Sequence, residues 1–175
     1  MLVLASQSAA RRSMLYAAGV THEALPAHVD EEAITAGLMA EQASPERIAD
    51  ALAEVKALKI SRQHPGALVL GADSVVVTAD GAMIAKPETR PRAEVQLRQL
   101  AGTTHRLISA AVICEAGKAV WRSAGAAKVC AHEDRTPGGP RSLQQLLAPL
   151  FEDGAAATPR SASSAAARAT LPEAA

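Results

Sequence analysis

Two hydroxyl and two guanidinium side chains lie close together near the start of the chain. They are Ser6, Ser8, Arg11 and Arg12, directly after an apolar run at residues 2–5. The pattern becomes helical from Arg11, and the free N–H groups and positive dipole end of a helix start favour an anion. Because arginine forks bind phosphate oxygens in a bidentate way, this set is a candidate phosphate site. The alternative is a helix capped by Ser8 with solvated arginines, since Ser-x-x-Arg is a common pattern.

Asp73 is the candidate for chemistry on water. It lies between two apolar runs, residues 67–70 and 75–78, which we interpret as strands separated by a break at residues 71–74. A carboxylate near the end of a buried sheet lies where α/β proteins tend to bind ligands. It could bind a divalent cation or accept a proton from water. The alternative is an aspartate in a turn.

An acidic cluster precedes the middle of the chain. It consists of Asp30, Glu31 and Glu32. These carboxylates could share a divalent cation with Asp73, because Mg²⁺ prefers hard oxygen ligands. The alternative is that they only decorate the first turn of a helix, where negative charge is favoured by the dipole.

Two lysines and a histidine complete the candidate groups. Lys86, before Pro87, would supply a fixed cation for a phosphate, or is a surface lysine. Lys56 flanks the apolar face of a helix and would reach inward, although most such lysines extend to solvent. His105 stands at the entry to a strand, where a structural hydrogen bond is the expected role. Cations for phosphates, with carboxylates for a metal and a water, suit hydrolysis of a phosphoanhydride.

The elements that must position these groups follow from periodicity and breakers. We predict helices over residues 11–18, 44–63 and 90–100, and strands over residues 2–5, 67–70, 75–78, 107–114 and 119–129. Ser44 before Pro45 is a typical helix start, and Asp80-Gly81 is a turn signal. Alternating strands and helices of this kind predict an α/β domain.

The composition excludes several classes of function. The 175 residues include 18 Lys and Arg and 18 Asp and Glu, so the formal net charge is zero. Binding to nucleic acid or to an anionic membrane through bulk positive charge is therefore not expected. One Trp, one Tyr and one Phe are too few for a platform that stacks single-stranded bases. No apolar run approaches the roughly 20 residues of a membrane span, and the first charges follow the apolar stretch, the reverse of a secretory signal. Two cysteines make neither a disulfide framework nor a zinc site, so we expect a soluble, cytoplasmic domain.

The order of these motifs resembles the Maf family of nucleoside triphosphate pyrophosphatases. The segments that carry the resemblance are Leu4-Ala5-Ser6-Gln7-Ser8 with Arg11-Arg12, Val29-Asp30-Glu31, Leu52-Ala53-Glu54-Val55-Lys56-Ala57, Gly71-Ala72-Asp73-Ser74-Val75-Val76, Lys86-Pro87, and Leu100-Ala101-Gly102-Thr103-Thr104-His105. They stand in the family's order and at similar spacing between residue 2 and about residue 129. The resemblance implies an inosine-triphosphatase-like α/β fold, a mixed twisted sheet with flanking helices and a central cleft.

The resemblance also implies an activity and a set of roles. The family cleaves a nucleoside triphosphate to a monophosphate and pyrophosphate with Mg²⁺ or Mn²⁺, and it suggests a homodimer. Asp73 would be the general base, with Glu31 beside it near the metal. The phosphates would be held by Ser6, Ser8, Arg11, Arg12, Lys56 and Lys86.

Two positions bear on the substrate. Where the family's subfamilies carry arginine (dTTP/UTP hydrolysis) or tryptophan (7-methyl-GTP), this chain has Ala10. Ser74 stands where the dTTP/UTP type has threonine and the 7-methyl-GTP type has glutamine. Because Ser74 keeps a hydroxyl, we expect a pyrimidine triphosphate, dTTP or UTP, or a modified nucleotide.

The end of the chain departs from the family. We divide the chain into a partial Maf-like domain, residues 1–129, and an Ala/Pro/Ser-rich tail, residues 130–175, which we expect to be largely disordered. The family's closing helices and strand are not recognisable there, and the fold is expected to be incomplete at this end. The composition of the tail is similar to that of GC-rich DNA translated out of frame, so we hypothesise a frameshift or truncation after about Val129. Translating the coding DNA in the other two frames tests this.

Two other interpretations remain open on the sequence alone. The chain could be a catalytically inactive nucleotide-binding or division-related protein of the same family. It could also be the non-functional product of a damaged gene, aggregation-prone because apolar faces and sheet edges stay uncovered.

Overall fold

One mixed sheet and four helices are built by residues 1–87 and 89–130, the part of the chain that this computed structural model describes. The strands are β1 (Leu2–Leu4), β2 (Glu23–Ala24), β3 (Leu68–Val77), β4 (Met83–Ile84), β5 (Thr104–Glu115) and β6 (Lys118–Cys130). The helices are α1 (Ala9–Ala17), α2 (Glu31–Ala40), α3 (Pro45–Gln63) and α4 (Arg90–Leu100). The expectations for the tail concern residues that, after Cys130, lie outside the described ones.

The sheet combines parallel and antiparallel strands. Its order is β2-β1-β3-β5-β6, and β4 pairs with β3 beside this path. β1 is parallel to both β2 and β3, whereas β4 and β5 are antiparallel to β3 and β6 is antiparallel to β5. The predicted mixed α/β sheet with flanking helices is therefore confirmed.

Helix α3 supplies most of the core on one face of the sheet. Ser44 caps it, its Oγ accepting from the Arg47 N–H at 3.2 Å, and Pro45 is the first helical residue. Ile48, Leu52 and Ile60 repeat at helical spacing and are buried against the sheet. Their partners are Val69, Val75 and Val77 of β3 and Ile108, Ala110 and Val112 of β5. The predicted helix over residues 44–63 is confirmed with this capping signal as its cause.

The predicted break at residues 71–74 is wrong. β3 is one continuous strand, and each of its ten residues has a partner in β5. Gly71 is needed for close packing rather than for a turn, because a Cβ at this position would lie 2.0 Å from the Ala53 carbonyl oxygen on α3. Asp73 consequently lies within a strand and not in a loop.

Most other predicted elements are confirmed with small shifts. Helix α1 begins at Ala9, two residues earlier than expected, because Ser8 caps it. Helix α4 has the predicted bounds, the Asp80-Gly81 turn joins β3 to β4, and β5 and β6 are longer than predicted. Helix α2 begins at the acidic cluster, as the alternative for Asp30, Glu31 and Glu32 implied, whereas the short strand β2 was not predicted. None of the helices in the described residues is long and apolar enough to cross a membrane.

Candidate functional site

The edge of β3 is open around Asp73. On one edge, β5 pairs with the whole strand. On the other edge, β1 pairs only as far as Leu70, opposite Leu4, and β4 begins pairing at Val76, opposite Ile84. Because β1 runs parallel and β4 antiparallel to β3, both chains leave the sheet toward Asp73 from opposite sides. Such a point, where neighbouring strands diverge, leaves a crevice that can receive a ligand.

The chain that leaves β1 forms a loop of hydroxyl and guanidinium groups. Ser6 is buried, and its Oγ accepts from the Ser8 N–H at 3.2 Å and from Arg11 Nη1 at 3.4 Å. Ser8 is the N-cap of α1, its Oγ accepting from the Arg11 N–H at 3.4 Å. Arg12 is exposed, and the first turn of α1 carries no acidic residue. This loop therefore presents positive charge and a helix N-terminus at the crevice.

Lys86 follows β4, on the side of β3 where the pairing is interrupted. It comes two positions after Ile84, the last residue of β4, which pairs with Val76. Lys86 is exposed and makes no ion pair or hydrogen bond with the other residues that the structure describes. Its role as a phosphate cation stays a prediction.

Behind the crevice, Lys56 and Asp73 form a buried ion pair. Lys56 Nζ lies 2.6 Å from Asp73 Oδ1, and both residues are only 7% exposed. Lys56 falls on the buried stripe of α3 that includes Leu52 and Ile60. The inward orientation predicted for Lys56 is therefore confirmed, and the alternative, a side chain that extends to solvent, is wrong. Burying two charges is costly unless they are paired, so each fixes the position of the other.

Glu31 joins this pair from the start of α2. Its Oε1 lies 2.9 Å from Lys56 Nζ, and its side chain is largely exposed. Asp30, by contrast, caps α2, with Oδ1 accepting from the Ala33 N–H at 2.9 Å. The acidic cluster is thus divided, since one carboxylate faces Lys56 and another holds the helix start.

Glu31 and Asp73 are the carboxylates that would hold a divalent cation, with the substrate completing its ligands; here both contact the Lys56 ammonium group. Within residues 1–87 and 89–130, no three metal-ligating side chains come together. Two carboxylates, from Glu31 and Asp73, nevertheless converge on a single nitrogen. Mg²⁺ is usually held by one or two carboxylates together with water and substrate phosphates. Two carboxylates beside a phosphate loop meet that requirement.

The remaining predicted residues have distinct places. Ala10 lies exposed in the first turn of α1. Ser74 is on the sheet face opposite α3, where its Oγ lies 2.9 Å from Ser109 Oγ. His105 lies at the start of β5, as predicted, and its Nδ1 is buried without a hydrogen-bond partner among the described residues.

Sequence reasoning missed a cavity beside this site. It has a volume of about 390 Å³ and is lined by Arg11, Asp73 and Ser74, together with Ser109 and Trp121. The pairing of strands β3, β5 and β6 brings these residues together, and no local pattern indicates that pairing. An isolated Trp in a strand of small residues was the one available signal.

Comparisons with known proteins identify relatives of this chain. A family profile described as "Maf-like protein" matches residues 1–135. Among curated relatives, a "Nucleoside triphosphate pyrophosphatase" from Sphingopyxis alaskensis is 53% identical over 128 residues, 73% of this chain and 65% of the relative. A "Nucleoside triphosphate pyrophosphatase 1" from Jannaschia sp. is 49% identical over 131 residues, 75% and 66% of the two chains.

A further relative carries a more specific name. A "7-methyl-GTP pyrophosphatase" from Mesorhizobium japonicum is 45% identical over 126 residues, 72% of this chain and 63% of the relative. Among solved structures, a HAM1 protein from Coxiella burnetii matches at a TM-score of 0.44, with 16% identity over 73% of this chain and 69% of that one. The chain spans slightly less than two thirds of the length of the curated relatives named here. The profile match and the relatives' identity establish that the chain belongs to the Maf-like protein family.

Proposed function

We propose that this chain hydrolyses a nucleoside triphosphate to a nucleoside monophosphate and pyrophosphate. The observation that carries the proposal is the buried Lys56–Asp73 pair beside the open edge of β3, which is flanked by the loop of Ser6, Ser8 and Arg11. Because the Asp73 carboxylate is held 2.6 Å from the Lys56 ammonium group, it can react only with a molecule that binds beside it. The N-terminus and the arginines of α1 would bind an anion at that position. The relatives named as nucleoside triphosphate pyrophosphatases support the same reaction.

In this proposal the triphosphate binds along the open edge of β3. Arg11, Arg12 and Lys86 neutralise its charge, and the hydroxyls of Ser6 and Ser8 donate to phosphate oxygens. The free N–H groups at the start of α1 add further donors. Lys56 would contribute to phosphate binding, although in the structure its Nζ contacts Asp73 and Glu31.

Asp73 acts on the water. Its Oδ1 contacts Lys56, and Oδ2 accepts no hydrogen bond from the other residues described, so Oδ2 is the position for a water proton. The water oxygen bonds to phosphorus, the α–β phosphoanhydride bond breaks, and the proton passes to Asp73. Glu31 and Asp73 would hold the divalent cation, Mg²⁺ or Mn²⁺, which supplies charge stabilisation for the leaving pyrophosphate.

The base that we propose is a pyrimidine or a modified base. Ser74 offers one hydroxyl at the cavity, paired with that of Ser109, and Ala10 is exposed in the first turn of α1. dTTP and UTP are the first substrates to test, and 7-methyl-GTP is the alternative because one relative carries that name. A cytoplasmic location, where such nucleotides occur, and a homodimer remain predictions, the latter open to analytical ultracentrifugation.

The test is pyrophosphate release from dTTP, UTP, CTP, GTP, 7-methyl-GTP and 5-methyl-UTP, with Mg²⁺ or Mn²⁺. Asp73→Asn is the matched control, since it keeps the size of the side chain and removes the base. Release that disappears in the control supports the proposal and identifies the base. A chain that unfolds cooperatively and binds nucleotide without turnover would instead be an inactive nucleotide-binding protein. A chain that does not unfold cooperatively would support the damaged-gene interpretation.

A further inference from the structure

The cavity next to Arg11 lies on the face of the sheet opposite α3. Small side chains from three neighbouring strands form its floor: Ala72 and Ser74, Ser109 and Ala111, Ser123 and Gly125. The register places them in two rows that cross β3, β5 and β6. Helix α1 bounds the cavity on one side through Met14 and Leu15. A largely apolar cavity of about 390 Å³ with a few hydroxyls is typical of a small-molecule site.

Trp121 forms the opposite side of this cavity. It lies in β6 opposite Ile113, and it is 51% exposed. In register it lies two strands from Leu70 of β3, or about 10 Å, since neighbouring strands lie about 4.8 Å apart.

A β-bulge turns Trp121 toward the cavity. Near the hairpin, Cys114 pairs with Ala119, whereas the next residue of β5, Ile113, pairs with Trp121. Val120 is thus an unpaired extra residue. If it were paired regularly with Ile113, Trp121 would lie opposite Val112, on the face covered by α3. Arg122 does lie on that face, where it contacts Asp50 and Glu54 of α3. Bulges often re-aim a side chain next to a functional site.

The cavity adjoins the proposed phosphate site at Arg11. Arg11 lines the cavity and contacts Ser6 within the phosphate loop. Asp73 also borders the cavity, but its carboxylate contacts Lys56 on the α3 face of the sheet. A triphosphate held by that loop would therefore have its nucleoside end at the cavity. The Ser74 and Ser109 hydroxyls lie on the floor, and each can donate and accept a hydrogen bond.

We propose that Trp121 is the surface on which the nucleobase of the substrate stacks, with the Ser74–Ser109 pair contacting its polar edge. This inference rests on the proposed function for the identity of the ligand. Stacking on an indole tolerates any base, because every base has a π face, so Trp121 supplies affinity for the base. The hydroxyl pair then distinguishes one base from another by hydrogen bonding.

A binding measurement tests the stacking without turnover. Trp121 is the one tryptophan in the sequence, so intrinsic fluorescence reports this position alone. We expect saturable quenching by the α,β-methylene analogue of UTP, and none by inorganic tripolyphosphate, although tripolyphosphate competes with the analogue. Equal quenching by tripolyphosphate, or no quenching by an analogue that binds calorimetrically, would overturn the inference.

Variants at two adjacent residues give the second readout. Trp121→Ala should raise KM for the best nucleotide by on the order of tenfold, the size of one lost base–aromatic stack. Trp121→Phe should retain most of the affinity. The control is Val120→Ala, because Val120 is 55% exposed and does not line the cavity. An unchanged KM in a folded Trp121→Ala chain contradicts the inference, whatever the turnover.

The two proposals fail in different ways. Turnover in the wild type with an unchanged KM in Trp121→Ala removes the stacking role and leaves the enzyme. Absence of turnover together with quenching by the analogue removes the reaction and leaves the nucleobase site. Absence of both removes both.

Discussion

Lys56 Nζ lies 2.6 Å from Asp73 Oδ1, and the pair joins the middle of α3 to the middle of β3 inside the protein. Its neighbour Gly71 makes this approach possible, because any larger side chain would meet the backbone of α3. Glu31 reaches the same ammonium group from the solvent side. The pair therefore connects the core to the open edge of the sheet, where the phosphate loop lies.

Removing the Lys56 ammonium group should destabilise the fold as well as end activity. Lys56→Met leaves the Asp73 carboxylate buried without a partner, which costs about 3–5 kcal/mol in comparable cases. Urea unfolding measures the loss. The double variant Lys56→Met/Asp73→Leu should regain most of that stability and stay inactive. A single variant as stable as the wild type would show that the pair is not buried as described.

A methyl group at Gly71 should separate the helix from the strand. Gly71→Ala places a Cβ 2.0 Å from the Ala53 carbonyl oxygen, so α3 must shift, at a cost of about 1–3 kcal/mol or more. The shift moves Lys56 relative to Asp73, and kcat should fall. Gly66→Ala is the matched control, because nothing lies within 4 Å of a Cβ there. Equal thermal melting midpoints for the two variants would contradict the close packing.

Two serine caps should differ in function but not in stability. Ser8 and Ser44 each accept from the N–H three residues ahead, at the starts of α1 and α3. Replacing either by alanine should cost about 1 kcal/mol of unfolding free energy. Only Ser8→Ala should also raise KM, because Ser8 lies in the phosphate loop. A raised KM in Ser44→Ala would mean that helix fraying, and not the lost hydroxyl, is the cause.

The two thiols should react with very different rates. Burial raises the pKa of the Cys114 thiol and shields it, whereas Cys130 is exposed. A raised pKa lowers the thiolate fraction at neutral pH, and the thiolate is the reactive form. Iodoacetamide should therefore modify Cys130 in the native protein and Cys114 only after unfolding, as mass spectrometry would show. In Cys130→Ser, rapid native modification of Cys114 would contradict its place in the core.

Local signals predicted the elements that depend on local physics. The Ser44-Pro45 start, the helical spacing of Ile48 and Leu52, and the turn at Asp80 each act within a few residues. The same reasoning failed at Gly71. This glycine was interpreted as part of a turn, but it allows close packing against Ala53 and Ala57 of α3, which are 14 or more residues away in sequence.

For the site, the sequence predicted which residues are involved but not which of them contact one another. Family-like motifs indicated Lys56 and Asp73, but their pairing depends on how α3 packs on β3. The orientation of Trp121 depends on a one-residue bulge in the β5–β6 pairing, and the sequence carries no mark of it. The cavity therefore became visible only once the strand register was known.

The central claim is that Asp73, held by Lys56, acts on water to cleave between the α and β phosphates. The most direct measurement is chemical-quench product analysis of one turnover with dTTP or UTP and Mg²⁺, for the wild type and Asp73→Asn at equal nucleotide occupancy. The account predicts monophosphate and pyrophosphate from the wild type, and a rate at least 100-fold lower from Asp73→Asn, since general base catalysis contributes about 10²–10⁴-fold. Diphosphate and orthophosphate as products, or an undiminished rate in Asp73→Asn, would contradict it.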